Sequence, residues 1–239
     1  MKFYMKLTVI IPVYNEEKTV EKLINIINSL KFNFTIEIIV VDDCSNDRSR
    51  EIINSLGSKV DKVLFHKKNY GKGAAINSAK KFITGEYVII QDADLEYNPN
   101  DYKKMLDFMK NNNLKVVYGS RVLNKNKYEN SQNFSHIIRI WGNIFLTMFS
   151  NFINKQNLTD AHTCYKMFQR DLFMSLNLSE KGFSFCPEVN TKISNLNIEI
   201  KEVSIDYNGR TYDEGKKIKS IDALYAIIAI LKYKFFKKK

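Results

Sequence analysis

Short β-branched runs alternate with amphipathic stretches through the first 120 residues, and this alternation restricts the folds open to the chain. Residues 7–11 form an apolar run stopped by Pro12, and residues 36–41 (IEIIVV) end in Asp42 and Asp43. Residues 60–65, 87–90 and 114–118 are three further strand candidates. Between them, residues 16–30 place Val20, Leu23, Ile24, Ile27 and Leu30 at helical spacing. Residues 46–56 with Gly57 as a stop, 71–82 opened by GKG, and 99–109 with Pro99 near the first turn complete the helical set. The expected fold class is α/β: a mostly parallel, twisted sheet flanked by helices on both faces. Functional groups in such sheets collect at the carboxyl ends of strands. That is where Asn15, Asp43, Asp92, Asp94 and Arg121 fall.

Composition narrows the class further. The 239 residues are 44% hydrophobic and 26% charged, with only nine Gly and three Pro, which excludes collagen-like and linker-rich chains. Three cysteines without CxxC spacing argue against a disulfide scaffold or a structural zinc site, and suit a reducing cytosol. No apolar run approaches the roughly 20 residues of a membrane span. The apolar stretch near the N-terminus reaches Asn15, Glu16 and Glu17 too soon to read as a secretion signal.

The net charge is +11, and residues 216–239, with eight Lys and one Asp, carry +7 of it. That tail, KKIKSIDALYAIIAILKYKFFKKK, combines lysines with aromatic and aliphatic residues. It reads as a basic amphipathic helix on an anionic membrane surface, or as a C-terminal helix packed on the core with a solvated lysine end. The expected division is residues 1–215 as one domain and 216–239 as this helix. No helix-turn-helix, RRM or zinc-finger pattern accompanies the charge, so nucleic acid is not an expected partner. Residues 122–134 are polar and read as a loop. Residues 140–154 hold no charge but include Trp141, Phe145, Met148 and Phe152, and suit either a core helix or an apolar surface for a lipid chain. Residues 160–207 read as short strands and helices.

The sharpest local feature is Asp92-Ala93-Asp94 after a β-branched run. Alternate residues on extended backbone point the same way, so both carboxylates can face one site. Such a pair suits a hard cation, Mg²⁺ or Mn²⁺, with Glu96 as a candidate third ligand, or else is a solvated acidic turn. GKG at 71–73 permits close backbone approach to a phosphate. It is neither a P-loop nor a dinucleotide fingerprint.

Taken together, VIIPVYNEE, VDDCSND, GKGAA, QDADLEYNP and YGSR resemble glycosyltransferase family 2, with its GT-A fold. TDAHTCYKMF, FCPEV and YNGRTYDEGKK resemble its polyprenyl-phosphate branch, which includes dolichol-phosphate mannosyltransferase. The resemblance implies that Pro12, Tyr14, Glu16 and Asp43 hold the nucleoside and that Lys72 sits near the nucleotide. It implies that Asp92, Ala93 and Asp94 meet the sugar diphosphate, with Asp92, Asp94 and Glu96 around the metal. Arg121 and Arg139 would meet an acceptor phosphate. Arg210 and the lysines after Gly215, Lys216 first, would close over the phosphates. The implied partners are a UDP- or GDP-linked sugar, a dolichyl or undecaprenyl phosphate, the inner face of a membrane and a membrane-anchor subunit.

The chemistry of those groups is consistent. Divalent metal and basic side chains stabilise a diphosphate leaving group. A lipid phosphate is already anionic and needs orientation by Arg, whereas a hydroxyl acceptor needs a base. Glu188 is the candidate base for that alternative, or a carboxylate favoured at a helix start. His162 and Cys164 read as structural residues. The QxxRW motif of processive synthases is absent, so single transfer with inversion is expected. A non-catalytic nucleotide-sugar binder is the alternative outside enzymes.

Overall fold

A computed structural model describes residues 5–123, 134–210 and 221–236, with residues 134–139 described in backbone only. Its strands are β1 (Lys6–Val13), β2 (Thr35–Asp42), β3 (Lys62–Phe65), β4 (Tyr87–Ile90), β5 (Val116–Ser120), β6 (Lys166–Gln169) and β7 (Lys201–Ser204). They form one seven-stranded sheet in the order β3-β2-β1-β4-β6-β5-β7. β6 runs antiparallel to both β4 and β5, and every other pairing is parallel. The helices are α1 (Val20–Ser29), α2 (Ser49–Ser55), α3 (Lys72–Ala79), α4 (Asp101–Asn111), α5 (Phe134–Asn154), α6 (Arg170–Ser175), α7 (Phe185–Asn195) and α8 (Ile221–Leu231). A wider-turned segment, Lys232–Phe236, continues α8.

The period of two in β1 explains the layering. Leu7, Val9, Ile11 and Val13 face one core with Val20, Leu23, Ile24 and Ile27 of α1 and Met105, Leu106 and Met109 of α4. Ile10 faces the other core, with Ala75, Ile76 and Ala79 of α3 and Val189 and Ile193 of α7. The sheet is thus buried on both faces, which is why β1 and β2 read as nearly continuous apolar runs. The expected α/β class is the observed one. The antiparallel β6, supplied by the second half of the chain, was not among the five strands expected from the alternation. Of the polar loop expected at 122–134, residues 124–133 lie outside the described residues.

Successive connections run outward from β1 through β2 to β3, then cross back to β4 on the other side. The carboxyl ends of β1 and β4 therefore flank the point where strand order reverses, the usual crevice for ligands in such sheets. Left-handed backbone follows three strand ends here, at Asn15 (φ 52°), Cys44 (φ 62°) and Leu95 (φ 62°). Each turn re-aims the residues beside it toward that crevice.

The charge-free stretch of α5 is inverted relative to an ordinary core helix. Its polar side faces the protein: Thr147, Ser150 and Asn154 are buried, and Asn154 donates to Thr191 of α7. Its large apolar side chains face outward, with Trp141, Phe145, Met148 and Phe152 59–82% exposed. α8 packs against α5 and α7 through Ala226, Ala229 and Ile230, and leaves Leu224, Tyr225 and Ile228 exposed. No helix among the described residues is long and apolar enough to cross a membrane.

Candidate active site

A cavity of about 630 Å³ opens at the reversal point between β1 and β4. It is lined by Pro12, Tyr14, Glu16, Asp43, Lys72, Asp92, Ala93, Asp94, Glu96, Arg121 and Arg210. Every described side chain singled out in the sequence for nucleotide-sugar or metal contact therefore meets in one place. Arg139 lies on α5 with its side chain outside the description, and Lys216 lies outside the described residues.

The loops after β1 and β2 lock together through their polar side chains. Asn15 N–H donates to Ser45 Oγ (2.9 Å), Glu16 N–H to Ser49 Oγ (2.8 Å) and Asn46 N–H to Asn15 Oδ1 (2.8 Å). Asp43 organises the next loop: its carboxylate accepts from Tyr70 N–H (2.9 Å), Gly71 N–H (2.6 Å) and His66 Nδ1 (2.6 Å). His66 Nε2 is hydrogen-bonded in turn to Ser78 Oγ of α3 at 2.9 Å. Gly71 adopts φ 95°, and a Cβ there would strike the Lys181 carbonyl oxygen; at Gly73 one would strike that of Glu180. The N-terminus of α3 can thus lie flush against the loop 179–184.

Charge is concentrated on the far wall. Lys72 Nζ pairs with Asp92 Oδ1. Arg210 donates to both oxygens of Glu16 at 3.0 Å each and to Asp94 Oδ2 at 3.1 Å. Burial raises the Asp94 pKa to about 7, helped by the charges of Asp92 and Glu96 and opposed by Arg210. Glu96 accepts from Tyr207 O–H (2.8 Å) and Arg210 N–H (2.7 Å), fixing the segment that carries Arg210. Among the described residues, no three His, Cys, Asp or Glu side chains form a ready metal cluster. Asp92 and Asp94 nonetheless offer adjacent hard oxygens in a site crowded with negative charge, which suits a divalent cation completed by phosphate oxygens.

Arg121 stands on the side nearer β5. Asp160, fully buried, grips it through Nε (2.6 Å) and Nη2 (2.8 Å), and accepts from Arg121 N–H at 3.2 Å. Its plane lies 5.2 Å from the Tyr207 ring. Burial opposes the charge on Arg121, but Asp160 outweighs it and holds the guanidinium firmly protonated. Sequence reading did not assign Asp160 a role; its only signal was its place in TDAHTC, 39 residues from its partner.

Three secondary candidates are now placed. His162 lines the cavity with Nε2 lacking a hydrogen-bond partner, and burial, then Lys166, lowers its pKa to about 4, so it is neutral. Cys164 lines the cavity too, in contact with Cys186. Of the two readings of Glu188, base or helix-start carboxylate, its place in the first turn of α7 matches the second. It is fully buried, its oxygens accept from Ser179 N–H (2.8 Å), Ser179 Oγ (3.1 Å) and Glu180 N–H (2.8 Å), and Lys192 pairs with it at 2.9 Å. A carboxylate so engaged holds the loop 179–180 in place.

The fold and this acidic, cation-bordered crevice define a GT-A type α/β protein. The sequence profile of Glycosyl transferase family 2 matches residues 8–176, and the chain belongs to that family of glycosyltransferases. It is 29% identical over 242 residues to a dolichyl-phosphate beta-glucosyltransferase of Trichomonas vaginalis, covering 95% of this chain and 72% of that one. It is 36% identical over 127 residues to the dolichol-phosphate mannosyltransferase of Pyrococcus furiosus, covering 53% of this chain but only 36% of that protein. Glucosyl-3-phosphoglycerate synthase of Mycobacterium tuberculosis shares the fold, with a TM-score of 0.72 at 17% identity over 97% of this chain and 81% of that one. That enzyme has also been crystallised with Mn²⁺, UDP and phosphoglyceric acid.

Proposed function

We propose that this glycosyltransferase moves one hexose from a UDP- or GDP-linked sugar onto a polyprenyl phosphate, with inversion, at the surface of an anionic membrane. The observation that carries this reading is the arrangement of cations around the cavity. Lys72 and Arg210 pair with the Asp92–Asp94 wall, whereas Arg121 is held by a different carboxylate, Asp160. Two anionic groups can thus be held at once, a leaving diphosphate and an attacking phosphate. Asp92 and Asp94 would hold Mg²⁺ or Mn²⁺, whose chemistry when bound is to stabilise charge on the diphosphate. Pro12, Tyr14, Glu16 and Asp43 shape the nucleoside end.

In the transfer, Arg121 orients an acceptor phosphate oxygen toward the anomeric carbon. That oxygen forms the new C–O bond as the bond to the diphosphate breaks on the opposite face. Lys72 and Arg210 meet the negative charge that develops there. No proton has to be removed from a phosphate, and the one base suggested for a hydroxyl acceptor, Glu188, is engaged elsewhere. The names of the dolichyl-phosphate relatives support the same acceptor class. The exposed apolar faces of α5 and α8 would rest on the membrane's inner face, residues 216–239 acting as the contact segment of a catalytic unit at 1–215.

The test is transfer of labelled sugar from UDP-glucose, UDP-GlcNAc and GDP-mannose to a short polyprenyl phosphate and to the matching polyprenol, with Mg²⁺, Mn²⁺ or EDTA. Product on the phosphate alone, lost in EDTA and in Asp94→Ala, is expected. Product on the polyprenol, or on neither acceptor while nucleotide still binds, would overturn the acceptor assignment.

A further inference from the structure

Two cysteines meet at the cavity wall without any part in the transfer just described. Cys164 precedes β6 and lines the cavity; Cys186 sits in the first turn of α7, buried behind it. Their sulfurs are 3.8 Å apart, and both thiols are free. Each is built into a part of the wall that matters. Cys164 N–H donates to Tyr97 O–H at 3.2 Å, on the segment that follows Asp92 and Asp94. Cys186 follows Phe185, whose Cβ lies against Gly73 at the start of α3. The Cys164 thiol, and then the charges of Lys166 and Lys72, hold the Cys186 thiol below its ordinary range.

We propose that Cys164 and Cys186 are an oxidative modification site, which a hydroperoxide converts to a disulfide that reversibly impairs the donor site. One sulfur, as thiolate, attacks a peroxide oxygen and becomes a sulfenic acid, releasing the other oxygen as water after protonation. The second sulfur attacks the sulfenic sulfur, expels a second water and closes the S–S bond. Two thiols and one hydrogen peroxide yield one disulfide and two waters, with two electrons passing from sulfur to oxygen. The sulfurs must approach from 3.8 Å to the roughly 2.05 Å of a disulfide. That draws the start of α7 toward the residues before β6, and displaces Phe185 from Gly73 and the loop 179–184 from α3.

The effect on transfer rests on the proposed function, but the cross-link does not. The reduced protein would be treated with equimolar hydrogen peroxide and mapped by differential alkylation and mass spectrometry. A linked peptide joining Cys164 to Cys186, about 2 Da lighter than the two thiol peptides, is expected while Cys44 stays alkylatable. The nucleotide-dependent rise in melting temperature and the transfer rate should both fall, the rate by roughly tenfold or more, and return with dithiothreitol. Cys186→Ala, or Cys186→Ser should that fold better, should keep both through the same treatment. No linked peptide, or a linked protein that binds nucleotide and turns over as before, overturns the proposal. Should untreated protein show no transfer, the mass and melting readouts still decide it.

Discussion

Arg210 is bonded to Glu16 and Asp94 through its side chain and to Glu96 through its backbone, so one residue joins the loop after β1 to the loop after β4. On the proposed function, a bound diphosphate would compete for the same guanidinium and free the carboxylates that hold it for a cation. Arg210→Ala is expected to lower kcat/KM by about 10²–10³, the usual loss for a group that meets charge developed in the transition state. Steady-state kinetics with saturating metal checks it. Glu37 shows a purely structural use of charge. Buried on β2, it accepts from Thr8 Oγ1 of β1 (2.5 Å), Thr84 N–H (3.0 Å) and Thr84 Oγ1 (2.5 Å). Burial pushes its pKa up, but these bonds outweigh burial and hold it below its ordinary 4.5. A depressed carboxylate contributes stability that is complete above the unfolded value and lost as pH falls through the folded one. Glu37→Gln should therefore cost about 1–2 kcal/mol at pH 7, with the gap to the parent narrowing only below pH 4.5 in thermal melts. Neither partnership was legible in the sequence. Asp92, Asp94 and Arg121 announced themselves by following β-branched runs, whereas Asp160 and Glu37 find partners far along the chain that one-dimensional spacing does not encode.

The early elements were legible because each parallel strand and its helix bury local, periodic patterns. Helix α1 begins at Val20, four residues inside the expected start, because Glu16 is held by Arg210 and Ser49. β6 falls in residues 160–207, read only as short strands and helices, because four residues (KMFQ) carry no alternation long enough to place a strand. For residues 140–154 the sequence left two readings open, a core helix or an apolar surface, for a different reason. A charge-free run looks the same whether its apolar side faces in or out, and here Asn143, Asn151 and Asn154 turn inward to bond Asp160, the Leu158 carbonyl and Thr191. The outward aromatic face makes a definite prediction. The 239-residue chain should cosediment with anionic vesicles, and less with neutral ones. Trp141→Ala, Phe145→Ala and Phe152→Ala should each weaken partitioning by about tenfold, from lost apolar burial. Far-UV circular dichroism should stay unchanged, because these side chains are 59–82% exposed. Equal partitioning of the triple variant would show that the lysines alone make the contact.

Across the whole molecule, the donor cavity draws its wall from loops after β1, β2 and β4 and from residues 162, 182–183, 207 and 210, so both halves of the chain must be in place before it exists. Burial raises the Asp94 pKa to about 7, and the like charges of Asp92 and Glu96 add to that rise. Anything that binds only the folded state and relieves that repulsion must stabilise the fold by mass action. On the proposed function, a divalent cation with UDP or GDP would do both, the cation meeting Asp92 and Asp94 and the diphosphate Lys72 and Arg210. At about 100 times the dissociation constant the gain is about 2.7 kcal/mol, or about 5–10 °C in melting temperature for a domain of this size. Nucleotide in EDTA should give a clearly smaller rise, and Mn²⁺ alone a smaller one still, because each leaves part of the charge unmet. In Asp94→Ala the nucleotide rise should become independent of metal. An equal shift with and without EDTA in the parent protein would mean that Lys72 and Arg210 handle the diphosphate unaided, and the cation would have no place in this cavity.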